Sequence, residues 1–218
     1  MNSRFFLISI FIFIASGYSF AQTGDAAQKK LSLHKQLQQQ ASEEIKTLHE
    51  GALLVRLTTR KKSIEALRKM GNENAANTIE KEQARKNKSI INAFLINFNF
   101  CSVYFFYSDY SDLVKERQFN KVTFLNKNLE KDSVKIFNGT KFLTAEFNEV
   151  LADTAKNYGG NNNGITALII MSDQFIQLRR PFPFFVRTFE FLSLRRKDYK
   201  TVRILNRELH EFYNKQNN

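Results

Sequence analysis

The longest apolar run in the chain is its first, and it is too short to cross a lipid bilayer. Phe5 to Ala15 is interrupted only by Ser9, whereas spanning hydrocarbon takes about 20 residues. Arg4 precedes the run, Gly17 follows it, and Ser19-Phe20-Ala21 sets small residues at the two positions a signal peptidase reads. A positive start, a short greasy centre and a small-residue exit are the three parts of a secretory signal. The expectation is cleavage after Ala21 and a secreted or periplasmic product beginning at Gln22. No cysteine follows the cut, so a lipid-modified N-terminus is not expected. The next best apolar stretch, Ile90 to Phe100, is broken by Asn92, Asn97 and Asn99. No transmembrane segment is therefore expected once the leader is removed.

Removal of 21 residues from 218 leaves 197, enough to bury a core without covalent staples. None is available, because Cys101 is the single cysteine and no internal disulfide can form. Heavy use of Phe, Asn, Ile and Lys with no Trp fits a bacterial protein from an AT-rich genome. The formal net charge is +12, and it is unevenly spread. Residues 25–97 hold 14 basic and 8 acidic side chains, residues 98–160 hold 8 of each, and residues 161–218 hold 10 basic and 5 acidic. Such a surplus favours anionic partners or serves as a solvated surface.

The apolar spacing changes period several times. Residues 22–50 form an N-terminal helical arm: Leu31, His34, Ala41, Ile45 and Leu48 recur at helical spacing until Gly51, and the arm either packs or projects. Residues 51–218 are expected to form one domain. Ala52 to Thr59 alternates as a strand does. Ser63 to Met70 and Asn74 to Phe98 return to helix, the second with a polar middle expected to face water. Cys101 to Tyr107 reads as a strand buried on both faces, with a short helix after it. Val122 to Leu125 reads as another strand. Asn138-Gly139, set between two apolar runs, predicts a hairpin. Tyr158 to Gly164 is a loop. Ile165 to Met171 is a strand, and Ser172-Asp173 is expected to turn the chain into an antiparallel return at Phe175 to Leu178. Asp198 is expected to cap a final helix.

This order predicts an α/β (or α+β) domain: a mixed central β-sheet with helices on both faces. Without the arm and the hairpin, the order β-α-β-α-β-β-β-α resembles the thioredoxin-like one. The resemblance is topological. Where that family carries Cys-x-x-Cys, this chain has Ser108-Asp109-Tyr110-Ser111, and Gly164-Ile165 stand where its proline is expected. The resemblance thus implies a redox-inactive module.

Candidate chemistry is sparse. Cys101 opens an aromatic strand and reads as a buried structural thiol. His34, His49 and His210 show no metal-ligand spacing, and neither a metal nor a cofactor is expected. Asp109, Asp112 and Asp173 follow strand ends, where sheets place catalytic groups and where turns also want Asp. They are the candidate acids if the chain is an envelope hydrolase. Arg179, Arg180, Phe182 and Arg187, with Arg195 and Arg196 beyond, interleave cations with Phe and Pro. That pattern suits a grip on an anionic envelope component or a protein partner, or an edge strand closed by proline. A secreted location argues against nucleic acid. The leading expectation is a non-catalytic binding module at the bacterial cell envelope.

Overall fold

The computed structural model describes residues 21–132, 134–150 and 165–217, with side chains from residue 31 onward. The expected leader, up to Phe20, and the expected loop at Tyr158–Gly164 lie outside the described residues.

Among the described residues, five α-helices surround a five-stranded mixed sheet. The helices are α1 (Ala21–Glu50), α2 (Lys61–Lys69), α3 (Glu73–Asn97), α4 (Ser111–Lys115) and α5 (Leu194–Asn217). The strands are β1 (Ala52–Leu57), β2 (Ser102–Tyr107), β3 (Phe142–Glu149), β4 (Thr166–Met171) and β5 (Phe185–Arg187), in the sheet order β2-β1-β3-β4-β5. β1 runs parallel to both neighbours, and β3, β4 and β5 alternate antiparallel.

The pleat divides the core in two. Leu53, Val55, Leu57, Phe105, Leu143, Leu168 and Ile170 point to one face, where Ala41, Ile45 and Leu48 of α1, Phe94 of α3 and Val202, Leu205 and Leu209 of α5 cover them. On the other face, Leu54, Phe106 and Phe142 meet Val114 of α4 and Val122, Phe124 and Phe137 of the following segment. Helices thus stand on both faces, but unequally: the long ones share one side. The first helix packs along part of its length. Its C-terminal half docks on α5, β3 and β1, while Leu31 and Leu33 upstream are more than half exposed.

Local signals account for the joints. Gly71 takes φ +73°. Its N–H reaches Arg68 O and that of Asn72 reaches Leu67 O, the paired bonds of a Schellman stop. Asn72 then caps α3, its side chain accepting from Ala75 N at 3.2 Å. Gly51 ends α1 for another reason. A Cβ there would lie 2.1 Å from the carbonyl oxygen of Lys141, so crowding by backbone demands the glycine.

Several expectations are corrected. The middle of α3 is not wholly turned to water: Gln83 and Asn87 are buried, Gln83 donates to Asn87 Oδ1 and Asn87 donates to Thr58 O. Val122–Leu125 makes isolated bridges to Phe106 and Lys131 in place of a strand. No hairpin forms at Asn138-Gly139, because Phe142–Glu149 pairs with β1 and β4 and leaves Val134–Phe137 outside the sheet. The return at Phe175–Leu178 shrinks to one bridge, Met171 to Gln177. One edge of the sheet is β5 instead, following a cis Arg180–Pro181 bond. The other edge is β2, which is not buried on both faces as expected: it has a single neighbour, β1, with Ser102 exposed and Val103 and Tyr104 half-buried. α5 starts at Leu194, so Asp198 lies inside the helix and is buried rather than capping it. The thioredoxin-like order is not confirmed. Its expected third strand at 122–125 is absent, and β3, which takes that place in the chain, runs parallel to β1.

Candidate functional site

Helices α3 and α5 pack side by side, joined by Phe94, Val202 and Leu205 in the core. Their outer flanks separate and leave two adjoining open hollows. Arg85, Lys88, Ser89 and Asn92 recur at spacings of three and four, so they share one flank of α3. Together with Ser193, Leu194, Arg195 and Tyr199 they line a hollow of about 770 Å³. Asn97, Leu192, Arg196, Lys200 and Arg203 line a second of about 440 Å³, with Arg195 and Tyr199 bordering both.

The electrostatics of this groove are one-sided. Six of its lining residues are Lys or Arg and none is Asp or Glu. None of the six forms an ion pair among the described residues. Two lie over aromatic rings, Arg195 at 5.2 Å from the Tyr199 centroid and Lys200 at 4.0 Å from that of Phe189. These contacts orient cations without neutralising them. Two acids flank the start of α5, one engaged and one hidden. Glu190 accepts from Lys197 Nζ at 3.0 Å, and Thr188, with Lys197, holds its carboxyl below the usual range. Asp198 is 2 % exposed, and burial raises its carboxyl, partly offset by the neighbouring Ser89 hydroxyl. Ser89 Oγ and Asp198 Oδ2 close no hydrogen bond of ordinary geometry.

Such an arrangement of charge attracts anions in preference to cations. It supplies several positive charges and the start of α5, with no Asp or Glu among the residues that line the hollows. Among the described residues no cluster of His, Cys, Asp or Glu could hold a metal ion.

The candidate acids are dispersed. Asp109 accepts from the Thr59 hydroxyl at 2.8 Å, Asp112 lies 3.8 Å from Lys115, and Asp173 pairs with Arg117 at 2.6 Å. The strand register sets Asp109 and Asp112 beyond the C-terminal ends of β1 and β2, and Asp173 beside the opposite end. Neither hollow includes any of them. A further pair on that face is Arg56 with Glu146 at 2.6 Å, where Arg56 also donates to Ser111 Oγ. Burial pushes the half-buried Cys101 thiol up to about 12, which disfavours the reactive thiolate.

The candidate binding residues divide. Arg195 and Arg196 line the groove. Arg179 and Arg180 are exposed before Pro181, with Arg180 beside Glu208. Phe182 is fully buried, 6.0 Å from the Phe212 ring. Arg187 sits opposite Ala167, on the sheet face away from the long helices. Sequence reasoning missed Arg85, Lys88, Lys200 and Arg203. Their signal is helical spacing, since Arg196, Lys200 and Arg203 fall at i, i+4 and i+7, but two distant helices must be brought together before it means anything. Comparison with family models, curated proteins and solved structures finds no match.

Proposed function

We propose that the chain is a non-catalytic binding protein of the bacterial cell envelope whose α3–α5 groove holds an anionic envelope component. The observation that carries this reading is six cations, none in an ion pair among the described residues, around two adjoining hollows with no acid among the lining residues. The openness of the groove supports a binding role over an enclosed small-molecule site, since pockets for small ligands bury most of the ligand surface. The leader-like residues Met1 to Ala21 support an envelope location.

The test compares salt-dependent retention on immobilised heparin, used as a generic polyanion. The chain from Gln22 onward keeps every buried core residue described here and is the form to assay. Arg195→Gln/Arg196→Gln removes two charges from the groove. Lys127→Gln/Lys131→Gln removes two near the β2 edge, where Leu125 N bonds Phe105 O. The groove variant should elute at clearly lower salt than the control, because local charge density and not net charge sets retention. Equal elution of the two variants overturns the reading.

A further inference from the structure

The same groove carries a second kind of surface. Leu95 and Ile96 of α3 are 47 % and 65 % exposed, and Phe191 is 81 % exposed. Two of them, Ile96 and Phe191, adjoin residues of the groove. Ile96 lies one helical turn on from Asn92 and beside Asn97, both of which line the hollows. Phe191 precedes Leu192, which lines the second hollow. Its ring stands 6.1 Å from that of Phe189, over which Lys200 rests. A cationic surface is therefore edged by large apolar side chains that water does not favour.

Resting on the groove reading above, we propose that the anionic component is a phospholipid bilayer, and that the chain docks on it peripherally through this rim. A soluble polyanion would need the cations alone. A lipid surface uses both parts: phosphates of anionic headgroups meet the Lys and Arg side chains, and Phe191 and Ile96 enter the boundary between headgroups and acyl chains. The open form of the groove suits a broad surface, and no described helix is long and apolar enough to cross the bilayer. The mode of attachment is thus lying on the membrane and not spanning it.

Vesicle sedimentation with the chain from Gln22 onward tests this, using phosphatidylcholine vesicles with and without phosphatidylglycerol. Binding is expected only where phosphatidylglycerol is present. Each cation at such a surface contributes roughly a fivefold factor, so Arg195→Gln/Arg196→Gln should weaken partition roughly 25-fold. Ile96→Ser/Phe191→Ser should weaken it roughly tenfold while leaving retention on heparin unchanged. The chain has no Trp, so Phe191→Trp introduces a single reporter, and its emission should move to shorter wavelength on the anionic vesicles. Unchanged vesicle binding by Ile96→Ser/Phe191→Ser, or no emission shift, overturns membrane docking while the groove reading stands. If the arginine variant loses nothing on vesicles or on heparin, both readings fail.

Discussion

Substituting Gly51 by Ala sets a geometric claim against a rule of thumb. The added Cβ would stand 2.1 Å from Lys141 O, 2.7 Å from Lys141 C and 2.8 Å from Thr47 O, where ordinary contact begins at 3.4 Å. All three atoms are backbone, so relief requires α1 and the segment entering β3 to part by more than an ångström. That movement falls on the Ala52 N–H to Lys141 O bond, 3.2 Å long, which lies at the first β1–β3 pair, Ala52 with Phe142. Losing the bond costs about 1 kcal/mol, and disturbing the packed Ala52 and Phe142 adds about 2 kcal/mol. The expected loss is therefore about 3 kcal/mol, or roughly 6–12 °C in thermal midpoint for a chain of this size. Gly71 is the contrast. Its φ of +73° favours glycine, yet a Cβ there meets nothing within 4 Å, so Gly71→Ala should cost about 1 kcal/mol. Urea and thermal unfolding followed by circular dichroism measure both. The reasoning fails if Gly51→Ala stays within about 1 kcal/mol of the parent, or if Gly71→Ala proves the more damaging.

Three further outcomes are expected. Burial raises the Asp198 carboxyl, so the folded state holds that proton more tightly than the unfolded one. Stability on this account falls as pH rises above the usual carboxylate range. Asp198→Asn should therefore raise the thermal midpoint at pH 7 and raise it less at pH 4; a loss at pH 7 contradicts the assignment. Cys101, pushed up to about 12 by burial, should react with iodoacetamide at pH 8 roughly a thousandfold more slowly in the folded chain than in urea. Comparable rates would show an accessible thiolate. For Arg56 and Glu146, with side chains 30 % and 13 % exposed, a double-mutant cycle of Arg56→Met and Glu146→Gln should return a coupling of about 1–3 kcal/mol. A value near zero would class the pair with ordinary surface ion pairs.

The long elements were legible in the sequence because their spacing repeats. α3, β1, β2 and β4 fall within one or two residues of the ranges the apolar periodicity predicts. The misreadings share a cause. Asn138-Gly139 has the chemistry of a tight turn, but Phe142–Glu149 gains more by entering the sheet between β1 and β4 than by pairing locally. Phe175–Leu178 likewise cedes the edge to Phe185–Arg187, seven residues further on. The site was half visible. Arg195 and Arg196 stand out as cations near an aromatic-proline segment, but Arg85 and Lys88 stand more than a hundred residues away, on a helix whose polar middle resembles any solvated face.

What the amino-acid order determined alone is where the long helices and the strands β1, β2 and β4 lie, that the core is held by packing with no disulfide, and that the chain is basic. Those follow from local period and composition, which need no partner to be read. Which strands become neighbours and which cations converge was decided by the tertiary fold. Charge acts through distance, and only the packing of α3 against α5 turns two separate basic faces into one groove.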